Sequence, residues 1–194
     1  MQTDSLPLCN SKAMGLVALQ LGLLFTSVAA AKWKPRLMLD ASSWQATLLS
    51  FCLMIGGIWG LTTRRCEVLA WSCFTAGALV LGLQMGRYDN AALKRGLAQA
   101  SVLLVVAAAL APFVGYFSGS SGLLMLLTLG LLVGLVGSMV WPSSTIDAFL
   151  SAGGSALFAV WTIHDVVKRP CDSPWLKSVE VFLDIFNLFA FSVR

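Results

Sequence analysis

Two carboxylates stand in the last apolar stretch of this chain, where a membrane-spanning segment ordinarily carries none. Glu180 and Asp184 lie four residues apart, so on a helix both project from one face. Apart from Asn187, the other residues of 179–189 are apolar. An ionised carboxylate deep in lipid costs at least about 2.5–3.5 kcal/mol unless it finds a partner or water. An acid in such a position is therefore a candidate functional group.

A third carboxylate, Asp165, stands near the end of the preceding apolar stretch. Because the connection 168–173 is short, we expect the two stretches to form antiparallel neighbouring helices. Carboxylates that face one another in a low dielectric cannot all ionise. The pattern predicts a proton-sensitive latch, or an oxygen-rich site where a hard cation such as Ca²⁺ binds transiently. The alternative is structural: Asp165 and Glu180 cap or snorkel near the interface, and Asp184 pairs inside the bundle.

The depth of the three acids predicts which of them meet. If the sixth helix ends at Arg169, and the last helix begins at Pro174 with Ser173 as its N-cap, Asp165 lies ~6 Å inside its helix. By the same rise per residue, Glu180 lies ~9 Å deep and Asp184 ~15 Å. We therefore expect Glu180 to lie nearer to Asp165, unless the last helix begins later, near Ser178.

The composition of the chain is that of an integral membrane protein. Of the 194 residues, 58% are hydrophobic and only 11% are charged. Soluble domains carry about 25% charged residues. The net charge of +4 is spread along the chain without a basic cluster interleaved with aromatic residues, so we expect no nucleic-acid partner. The expected partner is the lipid bilayer.

Seven apolar runs organise residues 1–194 into one predicted membrane domain. A helix that crosses a bilayer needs about 20 mostly apolar residues. Six runs approach that length, and a seventh carries the two acids; the seven are 13–31, 44–63, 67–86, 97–117, 122–141, 146–167 and 175–193. If the spans alternate, the basic residues divide almost equally between the two sides. The positive-inside rule therefore gives no orientation.

The reactive side chains do not indicate an enzyme. Five cysteines form no Cys-x-x-Cys pair, and we expect them to be small buried hydrophobic residues; they are Cys9, Cys52, Cys66, Cys73 and Cys171. His164 is the only histidine, which disfavours a metal or haem site. Ser155 and His164 stand nine residues apart on one predicted helix, a rise of ~13.5 Å. A nucleophile and its base must lie about 3 Å apart, so this pair is not a protease site.

The acidic segments resemble a known family. Residues 182–189, Phe-Leu-Asp-Ile-Phe-Asn-Leu-Phe, resemble the last-helix motif of the Bax inhibitor (TMBIM, lifeguard) family of seven-helix membrane proteins. Residues 165–167, Asp-Val-Val, stand where that family has Asp-Thr-Gln, so the acid is kept and both polar followers are replaced. The first run, from Lys12 to Gln20 with Thr26 beyond it, is also similar. The resemblance extends over nearly the whole chain, which is short and divergent for the family.

The resemblance implies a fold and a function. The fold is an all-α integral membrane protein with six transmembrane helices around a seventh, acid-bearing C-terminal helix. The function is a pH-sensitive calcium leak involved in ion homeostasis or cell-death control. Asp165 and Asp184 would form its latch, with Glu180 assisting, and Ca²⁺ would bind transiently at the two aspartates. We expect an intracellular membrane, either the endoplasmic reticulum or the mitochondrial inner membrane.

The missing Thr-Gln pair supports a second hypothesis. Those polar groups could help to satisfy the acids, and Val166 and Val167 cannot. The chain would then be a non-transporting accessory subunit of a larger membrane complex, with other membrane subunits as its partners.

Overall fold

The fold is helical throughout the part of the chain that the structure describes. The computed structural model describes residues 5–37, 43–64, 66–99, 102, 121–141, 143–167 and 171–193, and no strand occurs among them. The helices are α1 (Ser5–Trp33), α2 (Trp44–Thr62), α3 (Glu67–Met85), α4 (described over 90–99), α5 (Ser121–Val140), α6 (Ser144–Val167) and α7 (Pro174–Val193). The all-α prediction is confirmed for these residues. The predicted run 97–117 lies almost entirely outside them.

Four of the described helices are long and apolar enough to cross a membrane. They cover Leu8–Trp33, Trp44–Thr62, Glu67–Met85 and Ser144–Val166, and Leu124–Ser138 is a shorter apolar helix. Helix α7 is not among the four, since it carries Lys177, Glu180 and Asp184. Large apolar side chains are exposed along α2, α5 and α6, as contact with lipid requires. These helices agree with an integral membrane protein.

Helices α2 and α3 form a tight antiparallel hairpin. Ser43 caps α2, because its side chain accepts a hydrogen bond from the backbone N–H of Ala46. A Cβ on Gly57 would lie 2.7 Å from the backbone oxygen of Ala70, so only glycine permits this approach. At the turn, Arg64 and Cys66 both adopt left-handed backbone angles, with φ of 53° and 50°. The chain therefore reverses around Arg64 and Cys66, between the second and third apolar runs.

The first compact unit consists of Met1–Asp89 and Pro170–Phe182. Buried hydrogen bonds join its helices, since in lipid a polar side chain must find its partner inside the protein. Gln20 Nε2 of α1 donates to Thr75 Oγ1 of α3 at 3.2 Å. Ser50 Oγ of α2 donates to the Gly77 carbonyl at 2.7 Å.

The second compact unit consists of Asn90–Arg169 and Leu183–Arg194. Its helices α5 and α6 pack closely where a Cβ on Gly134 would lie 2.7 Å from the Leu150 side chain. The absence of a side chain at Gly134 therefore permits the close packing of α5 against α6.

Helix α7 is the most enclosed of the described helices. Its first half belongs to the first unit and its second half, from Leu183, to the second. Residues 174–192 include no exposed side chain. The helix begins at Pro174, and Ser173 Oγ accepts a hydrogen bond from the backbone N–H of Leu176, as the Ser-Pro pair predicts.

The prediction that the cysteines are buried hydrophobic residues is wrong. Cys9 and Cys171 form a disulfide with a Cα–Cα distance of 6.0 Å, within the usual range. Of the free cysteines, Cys52 and Cys66 are exposed and Cys73 is half-buried. The pairing is decided by packing, which brings the start of α1 beside the segment before α7. The spacing of 162 residues carries no signal of it.

Candidate acidic site

Asp165 lies on the last turn of α6, and its side chain is buried. The residue is 5% exposed. The Nδ1 atom of the neighbouring His164 lies 3.1 Å from Asp165 Oδ1. An imidazole at this distance can share a proton with the carboxylate, and the tautomer of the ring decides which of them donates.

The ring of Trp161 contacts the imidazole of His164, and a hydrogen bond from α6 to α5 holds that ring in place. The rings of Trp161 and His164, one helical turn apart, meet edge to face with centroids 5.4 Å apart. Trp161 Nε1 donates to Thr128 Oγ1 at 3.0 Å. Thr128 Oγ1 uses its own hydrogen to donate to the Leu124 carbonyl. The lone pairs of Thr128 Oγ1 can therefore accept the hydrogen bond from the indole N–H of Trp161. The position of His164 therefore depends on a chain of contacts that reaches α5.

Small residues bring α6 and α7 together in the second unit. Ser151 Oγ donates to the Phe191 carbonyl at 2.7 Å. Ser155 Oγ donates to Ser192 Oγ at 3.1 Å, because Ser192 already donates to a carbonyl of its own helix. A Cβ on Gly154 would lie 2.5 Å from the nearest carbon of the Phe191 ring. The Gly-Gly-Ser sequence at 153–155 thus packs α6 against α7, and the hydroxyl of Ser155 is used in the hydrogen bond to Ser192.

The same contacts set the register of the two acids on α6 and α7. Pairing residues 151–155 with residues 191–192 in antiparallel helices places Asp184 opposite the turn that holds Trp161. Asp165 stands one turn further along, ~6 Å away along the helix axis. Asp184 is 9% exposed, so both carboxylates are buried within one compact unit.

Glu180 belongs to the first half of α7, which is anchored in the first unit. Ser178 Oγ accepts a hydrogen bond from Trp71 Nε1 at 3.1 Å. The Phe74 and Phe182 rings meet edge to face at 5.8 Å. Glu180 is half-buried. Since α7 begins at Pro174, the later start near residue 178 does not occur, and the greater closeness of Glu180 to Asp165 stays a prediction.

The chemistry of the site is that of protons and hard cations. Two buried carboxylates and one imidazole can hold, share or release protons without large side-chain movement. Carboxylate oxygens are also the ligands that Ca²⁺ prefers. The described residues contain no group of three or more His, Cys, Asp and Glu side chains that could hold a metal ion.

Sequence reasoning missed three members of the site: His164, Trp161 and Thr128. The spacing of three residues between Trp161 and His164 could have indicated their contact, because such residues are neighbours on a helix. The link to Thr128 depends on the packing of α5 and has no sequence signal.

Comparison with known proteins gives no relative from which a function could be transferred. No family model, curated protein or solved structure matches this chain.

Proposed function

We propose that this chain is a pH-sensitive calcium leak of the Bax inhibitor type, in which Asp165 and Asp184 form the latch. The observation that carries the proposal is the burial of both aspartates, 5% and 9% exposed, in one compact unit. An acid retained at such cost inside an apolar helix pair is a functional group by default.

The latch would work through its protonation state. When the site holds a proton, the repulsion between the two carboxylates is reduced, and α6 and α7 stay together. When both carboxylates are ionised, they repel one another and attract a cation. Their oxygens can then bind a passing Ca²⁺ transiently. His164 would exchange protons with Asp165 across the 3.1 Å contact, and Glu180 would assist from the preceding turn of α7.

Flux into liposomes tests the proposal. The purified chain is reconstituted with a Ca²⁺ indicator inside, and the initial flux is measured across a range of pH. We expect a proton-dependent flux that Asp184→Asn and Asp165→Asn each abolish. Asp147→Asn is the matched control, because this acid stands in the first turn of α6. A wild-type flux that does not depend on pH, or a flux that Asp184→Asn leaves unchanged, would contradict the proposal.

The second candidate function is that of a non-transporting accessory subunit. It is favoured by Val166 and Val167, which replace the polar pair of the Bax inhibitor motif. An inactive chain that is recovered from mild detergent with other membrane proteins in fixed proportion would support it. A chain that is recovered as a stable monomer and conducts Ca²⁺ would exclude it.

A further inference from the structure

Three segments of the first unit meet at one end, and the disulfide lies there. Cys9, near the start of α1, is bonded to Cys171, just before α7. Lys177 Nζ donates to Asn10 Oδ1 at 2.8 Å, which adds a second link between α1 and α7. An open cavity of about 640 Å³ around the α2–α3 turn is lined by Trp175, Arg64, Ser72 and residues 66–69. The opposite end of the unit holds the contact from Lys32 Nζ to the Tyr88 carbonyl, at 2.7 Å.

The disulfide constrains how often the chain crosses the membrane. Two cysteines can be bonded only when they lie on the same side of a bilayer, so an even number of crossings separates Cys9 from Cys171. The sequence predicts six apolar runs between these residues, from 13–31 to 146–167. The bond therefore agrees with the predicted six crossings, and equally with the four described helices that are long enough to cross a membrane.

The disulfide also distinguishes the two sides. Disulfides persist in oxidising compartments, while glutathione and thioredoxin keep cytosolic thiols reduced. We propose that the end of the first unit that carries Cys9 and Cys171 faces an oxidising compartment, on the non-cytosolic side of the membrane. The turn after α3, around Tyr88, then faces the cytosol. This inference does not depend on the calcium leak.

The bond forms by a balanced exchange. The two thiols lose two protons and two electrons to the disulfide of a thiol–disulfide oxidoreductase in that compartment, which is left as a dithiol. The ends of α1 and α7 are then joined covalently, beside the Lys177–Asn10 hydrogen bond.

The distribution of basic residues is compatible with this orientation. If the spans alternate, six basic residues lie on the disulfide side, namely Lys12, Arg64, Arg65, Lys168, Arg169 and Lys177. Seven lie on the other side, namely Lys32, Lys34, Arg36, Arg87, Lys94, Arg95 and Arg194. The difference is one residue, so the positive-inside rule does not oppose this orientation and does not select it.

The redox state of the full chain in eukaryotic cells is the first test. Cells are quenched in acid, free thiols are blocked with N-ethylmaleimide under denaturing conditions, and the protein is reduced and labelled with polyethylene-glycol maleimide. We expect two labels on the wild-type chain and on Cys73→Ser, whose thiol is free. We expect none on Cys9→Ser or Cys171→Ser. A wild-type chain that takes no label after reduction would overturn the proposal, whatever the stability of the variants.

The second test reads the side of the membrane. One fragment of a split fluorescent protein is placed at the N-terminus or inserted between Asp89 and Asn90, and its complement is expressed in the cytosol. We expect fluorescence from the 89/90 insertion alone, while the N-terminal fragment complements only after detergent lysis. Fluorescence from the N-terminal fragment in intact cells would overturn the orientation, even if the disulfide is present.

Discussion

The Nδ1 atom of His164 lies 3.1 Å from Oδ1 of Asp165, and the two side chains are only 17% and 7% exposed. A titratable imidazole is therefore in direct contact with one of the two buried aspartates of the second unit. This contact makes His164 the natural candidate for the group that couples the latch to pH.

Replacement of His164 separates proton exchange from packing. We expect His164→Phe to flatten the pH dependence of Ca²⁺ flux, since the proton donor and acceptor is lost. Loss of a hydrogen bond to a charged group also lowers the free energy of unfolding by about 1.5–3 kcal/mol. His164→Gln is the matched control, because it keeps a hydrogen-bonding group but cannot titrate: it should flatten the pH profile with a smaller loss of stability. A wild-type pH profile in either variant would contradict the role of His164.

The Trp161–Thr128 hydrogen bond should couple α5 to α6. Trp161→Phe and Thr128→Val each remove one partner of the 3.0 Å contact. Hydrogen bonds between membrane helices contribute about 0.6 kcal/mol on average. We expect a double-mutant cycle of unfolding in mixed micelles to give a coupling of about that size. Fully additive effects of the two substitutions would show that the contact contributes nothing.

Adjacent glycines on α6 should respond oppositely to alanine. A Cβ on Gly154 would meet the Phe191 ring, whereas a Cβ on Gly153 meets nothing within 4 Å. We expect Gly154→Ala to cost about 1–3 kcal/mol by overpacking and to impair flux by moving α6 away from α7. Gly153→Ala should be neutral or stabilise the helix by up to about 1 kcal/mol. Thermal unfolding in detergent measures both, and equal effects would contradict the packing of Gly154 against α7.

The sequence predicted the positions of helices better than the contacts between them. The start of α7 at Pro174 followed from the Ser-Pro pair, because a side-chain cap and a fixed φ act locally. The apolar runs likewise indicated α1, α2, α3, α5 and α6. The Cys9–Cys171 disulfide and the Trp161–Thr128 hydrogen bond depend on which helix faces touch, and the partners lie 162 and 33 positions apart in the sequence. The buried acids were identified because a charge in an apolar helix is costly whatever it touches.

A buried amide in the first unit offers a test of polar pairing in that unit. Gln20 is 1% exposed; its Nε2 donates to Thr75 Oγ1, and its Oε1 accepts no hydrogen bond from the described residues. Thr75→Val would leave the amide N–H₂ without this acceptor and should cost about 1–3 kcal/mol. The double variant Gln20→Met/Thr75→Val removes both polar groups, and we expect it to recover most of that loss. Unfolding in micelles measures the stability of both variants. A double variant less stable than Thr75→Val would contradict the expected recovery.

The bond between Cys9 and Cys171 closes most of the chain into a covalent ring, from which α7 extends as a branch. A single proteolytic cut anywhere between these two cysteines opens the ring but releases no fragment. Such a nicked molecule migrates as one species on a non-reducing gel and separates into two only after reduction. A cut after Cys171, by contrast, releases the acid-bearing helix at once, so paired gels distinguish damage to the ring from loss of α7.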